Sequence, residues 1–328
     1  MILNYNPAPI IQPLSLDSAF SDHYQFQVVR GDLIHPQISG NKWYKLKLNI
    51  QAACKQNKSA ILSFGGAHSN HIHALAYAGK QLGMATIGVI RGQWRKQLTP
   101  TLRDAESWGM SLIFIAAEDY RRRDDESWIA QQLPCWLENT PWQTKQVYIV
   151  PEGGSNQLGV MGVGEWAQSI YALLPEPSTL ILPVGSGGTL AGFAAVASSH
   201  TLLGVTVVRA AESLRHTIKS HLAALPVEGL SCHSGEQVCP SSEYADSSKQ
   251  TSWELVAGYE GRGYGRWSDA MLGEIVRYSS LLNLPLEPVY SGKAFLAMLD
   301  LARKRYFNTR KVVFVHTGGM QGLRSVNT

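Results

Sequence analysis

The chain has few cysteines and no strong charge of either sign. Of its 328 residues only Cys54, Cys135, Cys232 and Cys239 are thiols, and no two of them form a CxxC pair. No histidine spacing completes a zinc set around them, so free thiols in a reducing compartment are the expectation. Net charge is +4, from 29 Lys+Arg against 25 Asp+Glu. That excess is too small and too scattered to mark a nucleic-acid partner. The densest basic run, Arg121 to Arg123, is followed at once by Asp124, Asp125 and Glu126, which reads as a solvated helix face. No apolar run approaches the roughly 20 residues that cross a bilayer. Met1 to Pro13 lacks the basic and apolar regions of a signal peptide. The expectation is a cytoplasmic protein with neither membrane nor nucleic acid as a partner.

A hydrophobic fraction of 45% with 16% charged residues is that of a globular chain, and the length allows two domains. From about residue 45 short apolar runs alternate with segments of helical period. Strands are expected at 60–64, 85–90, 112–116, 147–150, 179–184, 204–208, 286–289 and 311–316. Helices are expected around Leu46–Ala53, from Ser69, from Thr99 to near Gly109, and over 120–133, 157–171, 189–198, 267–282 and 291–305. Such alternation implies an α/β fold of open, mainly parallel sheets covered by helices. Only 230–251, rich in serine, glycine and charge, resists the scheme and reads as a surface excursion.

Gly185-Ser186-Gly187-Gly188-Thr189 joins a buried strand to a helix. Glycines let the backbone approach an anion, and the helix start aims N–H groups at it. The spacing is neither a P-loop nor GxGxxG, so a single phosphate fits better than a dinucleotide. Lys42, in Ser39-Gly40-Asn41-Lys42, has apolar neighbours in Trp43, Tyr44 and Leu46, and a buried lysine loses its proton easily. In Gly65-Gly66-Ala67-His68-Ser69-Asn70-His71, Ser69 reads as a helix N-cap beside free N–H groups that suit a carboxylate. His71 and His73 point apart on a helix, which argues against a metal. Tyr264 and Tyr290 are phenols beside glycine-permissive backbone, and Tyr290-Ser291 and Thr317-Gly318-Gly319 fall at strand ends, where α/β sheets place ligands.

In this order the motifs resemble the family of 1-aminocyclopropane-1-carboxylate (ACC) deaminases and D-cysteine desulfhydrases. These are pyridoxal-phosphate (PLP) enzymes of the tryptophan-synthase-β-like fold. The resemblance spans nearly the whole chain. It rests on Gly40-Asn41-Lys42 with Lys45-Leu46, on Gly65–His71, and on Pro151-Glu152-Gly153-Gly154-Ser155-Asn156. Gly185–Thr189, Gly263–Gly265, Glu287–Lys293 and His316–Gly319 complete it. It implies that Lys42 carries the cofactor and later acts as base at the substrate α-carbon. By the same resemblance the loop Gly185, Ser186, Gly187, Gly188, Thr189 holds the phosphate. Ser69, Asn70 and His71 lie by the substrate carboxylate and the ring, and Tyr264 and Tyr290 reach into the pocket. Either Ser69 or Tyr290 assists proton movement.

Two positions divide the family. ACC deaminases carry Glu after the pocket tyrosine and Leu before the last Gly-Gly, whereas this chain has Ser291 and Thr317, the desulfhydrase pattern. A hydroxyl at the ring nitrogen makes no ion pair, so it favours an unprotonated pyridine and a weaker electron sink. That suits α,β-elimination of hydrosulfide better than opening of a cyclopropane. The implied activity is therefore D-cysteine to pyruvate, hydrogen sulfide and ammonia. ACC deamination, β-replacement, dehydration and an idle PLP-binding protein are the alternatives. Ile72-His73-Ala74 stands where the family has Arg-Gln after this motif, and Trp43-Tyr44 where it has Thr-Arg. Both departures bear on substrate more than on cofactor. The resemblance further implies a homodimer. Residues 50–157 are expected to form a small domain and 1–49 with 158–328 a large PLP-binding domain, with the site in the cleft between them.

Overall fold

A computed structural model of the chain describes residues 5–225 and 251–325. Strand β1 (Ile11–Pro13), helix α1 (Ser18–Ser21) and strand β2 (Gln25–Arg30) lead into helix α2 (Asn41–Lys55). Four strands then alternate with helices: β3 (Ala60–Gly65), α3 (Asn70–Leu82), β4 (Ala85–Arg91), α4 (Pro100–Ser107), β5 (Ser111–Ile115), α5 (Ala117–Tyr120), α6 (Glu126–Leu137) and β6 (Val147–Val150). The rest of the chain continues with α7 (Gln157–Tyr171), β7 (Ser178–Val184), α8 (Gly188–Ala195), β8 (Thr201–Thr206), α9 (Ala211–Ala223), β9 (Ser252–Val256), α10 (Asp269–Leu282), α11 (Ser291–Arg303) and β10 (Lys311–His316). A 3-10 turn, Met320–Ser325, follows β10.

The strands form two sheets. One has six strands in the order β1-β2-β10-β7-β8-β9, parallel except for β1, and the other is all parallel in the order β5-β4-β3-β6. Every residue of β3 and of β7 is buried, the signature of strands covered by helices on both faces. Helix α7 packs between α2 and α8. There Tyr44 of α2 stacks on Trp166 of α7, with ring centroids 5.2 Å apart and planes 9° from parallel. That contact fixes the helix whose first turn carries Lys42. No helix among the described residues is long and apolar enough to cross a membrane.

The α/β alternation is as expected, with several local differences. The two N-terminal strands β1 and β2, helix α9, and β9 at the far edge of the larger sheet are not among the expected elements. Residues 286–289 are not a strand. The buried Glu287 carboxylate folds back to accept the N–H groups of Val289, Tyr290 and Ser291 at 2.6–2.7 Å, which diverts the donors a ladder would use. The helix expected over 120–133 begins later, at Glu126, after a turn over 121–124, because Asp125 caps the start by accepting from the N–H of Trp128 at 2.9 Å. The 230–251 excursion lies outside the described residues except for Thr251, which leads into β9.

Candidate active site

Helix α2 opens with two lysines one turn apart, so both heads reach the same side of the helix. Nζ of Lys42 donates to Oδ1 of Asn41 at 2.7 Å, and Nδ2 of Asn41 donates to Oγ1 of Thr189 at 2.7 Å. Burial lowers the Lys42 pKa to about 8, against the opposing field of Glu287. Lys45 is 2% exposed. Its ammonium donates to Oγ of Ser155 at 3.0 Å and Oγ of Ser186 at 3.3 Å, and these two hydroxyls lie 2.6 Å apart. Burial, and then the charge of Lys42, push the Lys45 pKa well below the ordinary lysine value.

Neither hydrogen-bond partner of Lys45 is an anion, so its charge is buried without compensation. Gly188 begins α8 at this point. A Cβ there would fall 2.7 Å from Oγ of Ser155 and 3.0 Å from Nζ of Lys45. The glycine loop, two hydroxyls, a helix start and an ammonium seeking an anion together match a phosphate dianion. The residues present therefore fit the phosphate end of PLP, with Lys42 beside it.

Around this core the structure gathers most of the expected groups. Ser69 caps α3, its Oγ accepting from the N–H of Ile72 at 3.2 Å, which leaves its own O–H free to donate. The N–H groups of Asn70 and His71 fall in the first turn, where no intrahelical partner exists. Asn70 is buried against Gly319, and its Oδ1 accepts from Nε2 of Gln321 at 2.6 Å. Tyr264 and Tyr290 meet edge to face with centroids 6.0 Å apart. The Tyr264 ring lies over Gly66 and the Tyr290 ring over Gly185, which ties the end of β3 to the phosphate loop. Burial raises the Tyr264 hydroxyl pKa to about 12, against a hydrogen bond from Tyr290, and drives that of Tyr290 well above the ordinary phenol value.

The remaining candidates sit at the same strand ends. Ser291 is fully buried, and its Oγ accepts from the N–H of Glu287 at 2.9 Å while its O–H makes only a long 3.4 Å contact to the Glu287 carbonyl, which a better acceptor could replace. Glu287 itself is pushed up by burial, while the three main-chain N–H groups favour its charged form and oppose the rise. Thr317 is buried, and its carbonyl accepts from the N–H of Asn41 at 3.3 Å, joining the end of β10 to the start of α2.

The His71 ring is turned toward β3. Ser63 gives its proton to the Val150 carbonyl at 2.7 Å, so Nε2 of His71 is the donor in the 2.8 Å contact with Oγ of Ser63. Burial and the two lysines lower the His71 pKa to about 3. The ring is therefore neutral, and Nδ1 is a buried acceptor without a partner. What His71 presents at the helix start is its main-chain N–H.

Sequence reasoning gave no role to Lys45, Ser155, Asn41 or Gln321. Lys45 had one available signal: a lysine three residues after Lys42 falls on the buried face of α2, where a cation needs a purpose. The contact of Gln321 with Asn70 joins residues 251 positions apart and leaves no local trace.

A lysine pair at the start of a helix, facing a phosphate-sized cradle at the ends of parallel strands, is the arrangement on which the comparisons bear. A family model described as "Pyridoxal-phosphate dependent enzyme" matches residues 29–318. The chain belongs to that family. It is accordingly a PLP-dependent enzyme of the α/β type read from the sequence. A putative ACC deaminase of Thermotoga maritima is 28% identical over 319 residues, covering 95% of this chain and 94% of that protein. A D-cysteine desulfhydrase of Salmonella schwarzengrund is 27% identical over 322 residues, covering 95% and 92%. Among solved structures, an ACC deaminase homologue superposes with a TM-score of 0.76 at 24% identity, over 97% of this chain and 91% of that one. A hydrogen sulfide-producing enzyme of Fusobacterium nucleatum gives 0.63 at 13% identity, over 98% of each chain. At these identities the structural matches establish the fold.

Proposed function

We propose that the protein is a PLP-dependent lyase acting on a small amino acid, with D-cysteine its best substrate, giving pyruvate, hydrogen sulfide and ammonia. The observation that carries the reading is the pair Lys42 and Lys45 on one helix, the second lysine donating to Ser155 and Ser186 at the glycine loop. Lys45, Ser186, Thr189 and the loop N–H groups of Gly185, Gly187 and Gly188 would hold the phosphate. Asn70 would meet the ring oxygen, and the hydroxyls of Ser291 and Thr317 would face the pyridine nitrogen. When bound, PLP supplies the electron sink that makes the α-proton of an amino acid removable.

The chain's own groups then divide the work. Ser69 O–H and the N–H groups of Asn70 and His71 fix the substrate carboxylate, which sets the Cα–H bond toward Lys42. Lys42, with a pKa near 8, takes the α-proton at Nζ. Tyr290 keeps its phenolic proton because burial raises its pKa, so it suits donation to a departing sulfur. Tyr264 holds Tyr290 in place across the edge-to-face contact. With Ser69 committed to the carboxylate, Tyr290 is the group that assists the leaving group. Ser291 offers a neutral donor to the pyridine nitrogen, which favours elimination over ring opening. The overall reaction consumes one water for each D-cysteine and releases pyruvate, ammonia and hydrogen sulfide.

Residues 50–157 and the remainder are proposed as a small and a large domain, with the site in the cleft between them. The four-stranded sheet falls wholly within 60–150, which supports the division. A cytoplasmic homodimer completes the proposal. The test is an absorbance spectrum of wild type and Lys42→Ala, followed by D-cysteine, L-cysteine and ACC with detection of the 2-oxo acid. A visible cofactor band lost in the variant, with pyruvate from D-cysteine, is expected. 2-Oxobutanoate from ACC alone would replace the substrate with the ring compound. A cofactor band without turnover of any of the three would leave a PLP-binding protein and remove the lyase assignment.

A further inference from the structure

Resting on the proposed placement of Asn70 at the cofactor ring, we infer that Gln321 is a positioning residue that decides which end of the Asn70 carboxamide faces the ring. Asn70 is 7% exposed at the first position of α3, directly after the N-cap Ser69. A buried carboxamide has two ends of opposite hydrogen-bonding character, and turning it by half a rotation exchanges donor for acceptor. Nothing within Asn70 selects one end. The structure pairs it with Gln321, whose Nε2 donates to Oδ1 of Asn70 at 2.6 Å, which commits the oxygen to the protein and leaves Nδ2 as the donor.

Two further contacts hold the pair in register. Gly319 has φ +89°, and a Cβ there would fall 2.1 Å from Nδ2 of Asn70. The backbone thus closes over the amide nitrogen as only a glycine permits. Arg324, in the same turn after β10, forms an ion pair with Asp104 of α4. Asp104 in turn accepts from Nε2 of His73 on α3 at 3.0 Å. The turn that carries Gln321 is therefore tethered to the helix that carries Asn70 as well as to its neighbour. A residue that only filled space would need neither an amide nor this tether.

An anionic ring oxygen requires a donor opposite it. With Gln321 in place Asn70 offers one, and without it the amide is free to turn its oxygen inward. Gln321→Glu puts an acceptor against Oδ1, so the Asn70 amide turns, gives Nδ2 to the new carboxylate, and presents its oxygen to the ring. Gln321→Ala leaves both orientations open, and Gln321→Met keeps the bulk without the hydrogen bond.

The experiment titrates apo-protein with PLP and follows the visible band of the bound cofactor against pH. Measurements are made in wild type, the three Gln321 variants, Asn70→Ala and the double variant N70A/Q321E. Gln321→Glu is expected to weaken PLP binding about tenfold, the worth of one misplaced hydrogen bond to a charged group. It should also displace the pH midpoint of the band in the same direction as Asn70→Ala. The double variant should then match N70A alone, since Gln321 acts only through Asn70. Gln321→Met and Gln321→Ala should fall between wild type and Gln321→Glu. If the Gln321 variants lower thermal stability while affinity and band midpoint stay at wild-type values, Gln321 is a packing residue and the inference is overturned. Additive effects in the double variant would overturn it as well. Failure of wild type to bind PLP would instead strike the cofactor reading, and Asn70→Ala without effect on the band would strike the placement of Asn70. The three failures are therefore distinguishable.

Discussion

The side-chain oxygen of Asn41 accepts a 2.7 Å hydrogen bond from Nζ of Lys42, the next residue in the chain. Because Nδ2 of Asn41 is held by Thr189, this oxygen is fixed in position. In its proposed role the Lys42 amine is thereby aimed from the same loop that would hold the phosphate, so anchoring and reaction would share one frame.

The first prediction concerns how fast Lys42 captures the cofactor. An amine attacks in its neutral form, and burial brings the Lys42 pKa down to about 8. The rate at which apo-protein acquires the visible band should therefore climb as pH rises through about 8 and level off above it. Rapid-mixing traces between pH 6 and 10 check this, the pH limits being about two units either side of that midpoint. A rate still rising toward the ordinary lysine value would show that Lys42 is solvated before PLP arrives.

A second prediction has two effects of opposite sign. Lys45 is a buried amine with no anionic partner while the phosphate is absent, and its lowered pKa reflects that cost, so Lys45→Met should stabilise the apo-protein, by about 1–3 kcal/mol. The same change removes a charged donor to the phosphate and should weaken PLP binding by about 10- to 100-fold. Thermal melts without cofactor and a PLP titration check the two halves. A variant less stable than wild type in the apo form would mean that Lys45 is held for its packing.

The reach of the sequence follows from how local each signal is. The alternation from α2 to β8 was legible because its strands are unbroken apolar runs such as Ala60–Gly65, and its helices carry their own caps, as at Thr99-Pro100 and Ser69. Strand β2 was missed because its burial alternates with polar Gln25, Gln27 and Arg30 and it pairs with β10, almost 290 residues away. The segment 286–289 deceived for the opposite reason. Its Leu and Val are buried, but Glu287 turns its own carboxylate onto the following N–H groups. At the proposed site, Lys42 and the glycine loop could be singled out from glycine placement and apolar context. Lys45 was not, because its partners Ser155 and Ser186 stand 110 and 141 residues further on. The His71 ring has its partner in Ser63, on the strand that precedes its helix, and a motif alone does not show which way a side chain turns.

The same two lysines give the apo-protein a characteristic pH dependence. In the unfolded chain both stay protonated up to about 10.5, whereas in the folded apo-protein Lys42 releases its proton near 8 and burial moves Lys45 well below the unfolded value. Between those limits the unfolded state binds more protons, and stability rises with pH wherever that holds. Their contribution is thus complete above the unfolded value and is lost as pH falls through the folded ones. Buried phenols act the other way only at higher pH: Tyr44 and Tyr171 have raised pKa values, so they weaken the fold once the unfolded chain ionises its tyrosines above about 10. The clean window therefore runs from about pH 8 to 10. With Lys42 and Lys45 in their proposed roles, bound PLP would take Lys42 out of titration and set an anion beside Lys45, which favours the charged form of that lysine. Urea unfolding midpoints should climb across the window for apo wild type, climb less for apo Lys45→Met, and stay nearly level for the PLP-bound protein. Parallel curves for the apo and bound forms would show that the two ammonium groups do not sense the phosphate site, and the cradle assigned to Lys45, Ser155 and Ser186 would have to be placed elsewhere.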